Sequence, residues 1–489
     1  MSLNLLLDHL KHTAALSQVS GILSWDQEAI MPVKGAVQRA EQAGALASVI
    51  HARNGDPHIP EWIAAIDQDR LSAFDRRNIA EAQRGYDKAA RIPARLAEES
   101  ARAASQGQRI WAAARAEKNF SAFAPALKKN IDLKREEAKC LSAPGSDLYD
   151  CLLDDYEPGA RACELQPLLE SLRPGLVALR EKIAGKPMPR ALTGNFPAAG
   201  QLMLARQIAV QLGYDLEAGR IDTVVHPFCS GTGGDVRITT RTDEEDPLNC
   251  LYSTVHEVGH ALYAQGITDE FMPAADYCSM GVHESQSRFW ENQIGRSRPF
   301  ADWLFPAMEK AFGTMSLNGP DQLYAAVNRV ETGFIRTEAD EVHYNLHILL
   351  RFELERELIA GTLEVDDLEE AWNTRFERDF GLAVPDASLG VLQDVHWSIG
   401  LFGYFPTYSL GNIYSACLDK AMRADLPGRD DMVRTAQTEP VLDWLRERIH
   451  HKGRVLSAPQ LIEKATGQAP TAAPLINYLE AKFGALYDL

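Results

Sequence analysis

The chain is short of every feature that would put it in a membrane or on nucleic acid. No uninterrupted apolar run is long enough to span a bilayer. The start, MSLNLLLDHLKHTAALS, has only a short apolar core, interrupted by Asp8, His9 and Lys11, and does not read as a signal peptide. Positive charge is in deficit: 50 Lys and Arg face 68 Asp and Glu, a formal net charge of −18. Such an acidic surface argues against nucleic acid and anionic membranes as partners. An anionic substrate group must then find a particular Arg or Lys. The seven cysteines are scattered, odd in number and contain no C-x-x-C pair. They read as free buried thiols in a reducing cytoplasm rather than as disulfides or a zinc site. Cys250 and Cys278 flank the most informative motif, but at no zinc-ligand spacing. Internal repeats, low-complexity tracts and long flexible linkers are absent too.

What the chain has is helix. Leu3, Leu6, Leu7, Leu10 and Ala14 fall at helical spacing, so the N-terminus reads as an amphipathic first helix. Ala-rich stretches with charges four apart fill about 34–53, 71–93 and 95–140, with Gly55 and Pro93 as stop and start signals. Further helical periodicity covers about 166–185, 198–212, 338–361, 366–379, 410–424, 438–451 and 473–486. One stretch reads as β structure, 219–241, where GRIDTVVHPF and GGDVRITTR flank the turn-rich Ser230-Gly231-Thr232-Gly233-Gly234. The expected fold is mostly α, one domain over residues 1–489. Its candidate subdomain seam lies near 186–198, and its metal-binding part covers about 199–489. An exposed edge strand beside the site could hold an extended peptide by backbone hydrogen bonds.

Directly after the β stretch stands His256-Glu257-Val258-Gly259-His260. Positions i and i+4 share one helix face, so His256 and His260 can hold one metal ion. Glu257 follows the first ligand closely enough to act on water at the metal rather than on the metal itself. Two imidazoles and a carboxylate base at this spacing are the zinc-protease signature. A third His ligand of the extended pattern is excluded, because the required Gly and His positions hold Tyr263 and Gly266. A carboxylate must complete the set. Asp269 and Glu270 sit in the turn after the motif, a poor place to reach back from. Asp276, Glu284 and Glu291 remain in range, and Glu284 and Glu291 share a helix face, so spacing alone leaves both open.

Neighbouring segments narrow the choice. His283-Glu284-Ser285-Gln286, together with HEVGH, resembles the carboxypeptidase Taq family of metallocarboxypeptidases. So do His226-Pro227-Phe228, Asp235-Val236-Arg237-Ile238-Thr239, Ile335-Arg336-Thr337-Glu338-Ala339-Asp340 and Gly390-Val391-Leu392-Gln393-Asp394-Val395-His396-Trp397, in the family's order. LSWDQEAIMP, LYDCLLDDYEPG and PTYSLGNIYSA extend the likeness from about residue 20 to near the C-terminus.

The resemblance implies His256, His260 and Glu284 as metal ligands and Glu257 as general base. It also implies one divalent metal, zinc or cobalt, and a deep central groove in the large helical domain, and the 219–241 stretch is expected as a small sheet or hairpin beside the site. Donors to the oxyanion are expected among His396, Tyr404 and Tyr408. Arg336 is expected to bind a substrate's terminal carboxylate as a bidentate pair, with Arg237, His226 and Gln393 as further substrate contacts. The expected activity is removal of single C-terminal residues from peptides, with broad specificity, by a cytoplasmic homodimer. An oligopeptidase or endopeptidase with the same centre and a non-catalytic peptide-binding metal protein are the alternatives.

Other features read as structural. His343 and His347 stand four apart without a base between them. His347 is expected as a hydrogen-bonded core residue or a supporting residue near the groove, and His450-His451-Lys452 as a solvated helix end. Ser230–Gly234 lacks a phosphate-loop pattern, and Trp25, Trp290 and Trp397 read as packing residues.

Overall fold

Three strands make up the sheet, and they sit where the chain arrives at its metal motif. In a computed structural model describing residues 1–489, these are β1 (Gly219–Thr223), β2 (Cys229–Thr232) and β3 (Asp235–Thr240), in the order β1-β3-β2. β2 and β3 form an antiparallel hairpin, whereas β1 runs parallel to β3. The turn is narrower than the sequence suggests. Only Gly233-Gly234 connects the hairpin, and Gly233 takes the positive φ (60°) that a two-residue turn needs at its first position. Ser230, Gly231 and Thr232, expected as turn, are strand. Val224 to Phe228, expected as strand, are the connection. A parallel neighbour cannot be reached by a tight turn, and Pro227 has no N–H to give a ladder.

Everything else regular is helical, as expected for a mostly α protein. The first helix, Ser2–Ala29, buries Leu6 and Leu10 against Ile59, Ile79 and Ala82, with Leu3 and Leu7 beside them. That is the face its spacing predicts. Gly55 ends one helix and Pro93 opens another, as read. The stretch 95–140 is two helices, Ala94–Ala116 and Phe120–Leu141. Lys118 takes a positive φ of 54° and the Asn119 side chain caps the second helix, a break that composition does not announce. The stretch 166–185 likewise parts into Ala162–Glu170 and Arg173–Ile183.

The chain gathers into two compact units, neither continuous in sequence. One comprises Met1–Ala90, Pro189–Asn328 and Tyr414–Pro470; the other comprises Arg91–Met188, Arg329–Ile413 and Thr471–Leu489. The first contains the sheet and the HEVGH helix. The second contains Arg336, Asp394 and His396. No helix is long and apolar enough to cross a membrane. All seven cysteines are free, but only Cys250, Cys278 and Cys417 are buried, and Cys163 is exposed.

Candidate metal centre

The motif helix, Pro247–Gln265, starts where its sequence says it should. The Asp246 side chain accepts from the N–H groups of Leu248 and Asn249, and Pro247 occupies the first turn. Thr254 Oγ1 donates to Thr240 Oγ1 at 2.9 Å, which ties the helix to β3. The next helix, Met280–Arg288, is capped by Ser279 and crosses the motif helix at Gly259. A Cβ at Gly259 would lie 2.6 Å from the Gln286 carbonyl oxygen and 2.6 Å from Ser287 Cα. Only a glycine lets the two backbones approach so closely, and this approach carries Glu284 to the histidine pair.

His256, His260 and Glu284 each offer a ligand atom, all within 4.8 Å of one another. Glu284 Oε2 lies 3.4 Å from His260 Nε2 and 3.8 Å from His256 Nε2. A tetrahedral ion with bonds of about 2.1 Å has ligand–ligand edges of about 3.4 Å, so the donor set is of the kind and size that could hold a divalent metal. Both imidazoles face the carboxylate with Nε2, because their Nδ1 atoms are engaged behind. His256 Nδ1 is 2.9 Å from Glu291 Oε2, and His260 Nδ1 is 2.6 Å from His283 Nδ1. Glu291, which spacing left open as a third ligand, therefore meets the back of the His256 ring. It belongs to a π-helical segment, Phe289–Gly295, in which Arg296 N–H reaches the Glu291 carbonyl five residues back. The wider turn moves Glu291 off the face that carries Glu284.

Electrostatics follows this layout. Burial works to raise the Glu284 carboxyl, yet Arg288, His256 and His260 together hold it well below the usual range. Burial dominates at Glu257 and raises its carboxyl despite the two histidines. A buried, raised carboxyl beside two candidate ligands suits a general base.

The other expected residues lie apart from this triangle in sequence and are held by their own partners. Arg237 makes a bidentate pair with Asp235, 2.8 Å at each nitrogen, and its guanidinium rests 4.3 Å above the Trp25 ring. Arg220, its register partner on β1, stacks on the same indole at 5.0 Å and pairs with Asp222. His226 is exposed in the β1–β2 connection. Gln393 has its amide engaged by main chain: it accepts from Arg336 N–H and donates to the carbonyls of Phe334 and Gly390.

Arg336 is buried, with Nε and Nη2 on Asp394 Oδ1 and Nη1 on Tyr344 Oη. The rings of Tyr408, Phe405 and Tyr344 surround it at 4.9, 5.6 and 6.0 Å. Arg351, fully buried, takes the other oxygen of Asp394. Burial works to raise the Asp394 carboxyl, but the two guanidiniums hold it far below the usual range. His396 lies 3.5 Å from Tyr408 Oη and is pushed down to about 4 by burial, so it is neutral at pH 7. Tyr404 packs on both His396 and Tyr408.

Two further sequence expectations hold only in part. His347 is buried against Phe380, but neither ring nitrogen has a protein hydrogen-bond partner. His450 is not solvated: it is 1 % exposed, with Nε2 at 3.0 Å from Gln286 Oε1. Trp25, Trp290 and Trp397 are packing residues, 2 %, 0 % and 5 % exposed. Sequence reasoning gave no role to Arg288, His283, Asp394, Arg351 or Glu355. Arg288 alone had a readable signal, a cation four residues after one glutamate and three before the other.

Two imidazoles one helical turn apart, a carboxylate from the next helix and a buried glutamate beside the first ligand define a metallopeptidase centre. Residues 5–483 match the family described as Carboxypeptidase Taq (M32) metallopeptidase, and the chain belongs to that family. It is a metal-dependent carboxypeptidase. Thermostable carboxypeptidase 1 of Thermus thermophilus is 43% identical over 99% of this chain and 98% of its own. Carboxypeptidase 1 of Bacillus subtilis is 34% identical over the same shares. The crystal structure of the M32 carboxypeptidase from Deinococcus radiodurans R1 has a TM-score of 0.95 at 38% identity, covering 100% of both chains.

Proposed function

We propose that this carboxypeptidase removes one residue at a time from free peptide C-termini, with broad specificity, using zinc, or cobalt in its place, as its divalent metal. His256, His260 and Glu284 would hold the ion, which would supply Lewis acidity and lower the pKa of water. The protein's own groups do the rest. Glu257 takes the proton from the attacking water and returns it to the leaving amine. Neutral His396 and Tyr408 donate to the carbonyl oxygen as negative charge grows on it. Arg336 pairs with the terminal carboxylate, and Gln393 acts through Arg336, whose N–H it holds. Arg237 and His226 are further substrate contacts, which fits the restriction to one residue per cut. Cytoplasmic location is in keeping with seven unpaired cysteines. A homodimer rests on family resemblance.

The observation that carries the exopeptidase reading is the charge around Asp394. Two buried guanidiniums, Arg336 and Arg351, share this one carboxylate. A peptide's terminal carboxylate is the anion that balances the pair. The test is a free-acid peptide library and its C-terminal amides, digested after metal reconstitution and followed by mass spectrometry. Single-residue ladders are expected on the acids and little cleavage on the amides. Arg336→Ala is expected to lower kcat/KM on acids by roughly 100-fold, the scale of an unpaired buried charge, and to leave amides unchanged. Amides cut as fast as acids would sink the clamp.

A further inference from the structure

The ligand residues lean on a second layer whose connections are specific. Glu291 Oε2, 2.9 Å from His256 Nδ1, also pairs with Arg288 Nη1 at 3.2 Å. The same Arg288 donates through Nε to Glu284 Oε1 at 2.7 Å, the oxygen turned away from the histidines. Ser287 Oγ donates to the other oxygen at 3.0 Å, and Arg296 holds Glu291 Oε1 at 3.2 Å. His256, Glu291, Arg288 and Glu284 thus form one unbroken chain of hydrogen bonds from one ligand to another. We propose that Arg288 and Glu291 are positioning residues that lock His256 and Glu284 into a single preorganised ligand unit.

Each contact removes a freedom the ligands would otherwise keep. A carboxylate at His256 Nδ1 fixes the ring proton there and leaves the Nε2 lone pair facing Glu284. Arg288 on Oε1 leaves Oε2 as the donor oxygen of Glu284. His260 has a different support, the imidazole of His283 at Nδ1. His256 therefore leans on a carboxylate and His260 on an imidazole. Loss of Glu291 should act on His256 and Glu284 together, through Arg288, and spare His260. The π turn that displaces Glu291 from the Glu284 face is what makes the link available.

The inference rests on His256, His260 and Glu284 being the ligands, so the experiment carries a control for that reading. Apo-protein is titrated with zinc against a chromophoric chelator, and the visible spectrum of the cobalt-loaded form is recorded. Glu291→Gln and Arg288→Lys should each bind one metal about 10- to 100-fold more weakly. Their cobalt spectra should be altered, while apo melting temperatures stay near the parent's. Glu284→Ala should bind no stoichiometric metal. If Glu284→Ala still binds one metal tightly, the ligand assignment itself falls. If it loses metal while Glu291→Gln and Arg288→Lys keep the parent's affinity and spectrum, only the positioning chain falls. If either variant has a lowered apo melting temperature but unchanged affinity and spectrum, its residue is structural and the proposal is again overturned.

Discussion

At the residue scale, two buried glutamates are raised by the same cause and have opposite uses. Glu257 stands beside the proposed ligands, where a carboxyl lifted by burial can exchange a proton with water. Glu257→Gln should keep one metal per chain, by elemental analysis, while kcat drops by about 10⁴-fold or more; activity near the parent's would retire Glu257 as the base. Glu355 lies in the other unit and holds structure together. Its carboxyl accepts from Tyr149 Oη at 2.6 Å, Trp397 Nε1 at 2.7 Å and Gly403 N at 3.0 Å. Burial outweighs those three bonds and pushes it up to about 7. The folded state therefore keeps a proton that the unfolded chain has released, from the ordinary carboxylate range up to about 7. Stability from this group is full at the acid end and falls as pH rises through that window, by at most about 3 kcal/mol. Glu355→Gln cannot titrate, so its melting temperature relative to the parent should climb between pH 5 and 7.5. A constant difference across that range would show that Glu355 does not titrate there.

The element scale decides whether the ligands meet. Ala is a better helix former than Gly by about 1 kcal/mol, so Gly259→Ala would stabilise an isolated motif helix. In the protein the added methyl meets backbone at 2.6 Å, and overpacking of that kind costs about 1–3 kcal/mol. The crossing should win: a lower melting temperature, and weaker zinc binding because Glu284 is pushed back from the histidines. A gain in stability with unchanged affinity would refute the close crossing. The sequence made this part half legible. The i, i+4 histidines were readable because helical period is a local property. Whether Glu284 or Glu291 completed the set was undecided by spacing, since an α-helix puts both on one face. The π segment separated them, and no local residue pattern announces a π turn. The same limit hid the break at Lys118 and the parallel β1.

At the scale of the whole molecule, the mostly helical fold and the sheet beside the motif followed from periodicity and turn residues. The partners of His450, Gln286 and of Trp25, Arg220 and Arg237 did not, because they are separated by many residues in the chain. The proposed homodimer belongs here too: light scattering should give a mass near twice 54.1 kDa, and a monomer mass at working concentration would remove it. The interleaving of the two units has its own consequence for how the protein is made. The unit with the HEVGH helix draws its last segment from Tyr414–Pro470, and the other closes only with Thr471–Leu489. HEVGH leaves the ribosome more than 150 residues before the last of its own unit does. No single cut yields two self-sufficient halves, and the nascent chain must wait, with apolar helix faces uncovered, until the last segment of each unit has emerged.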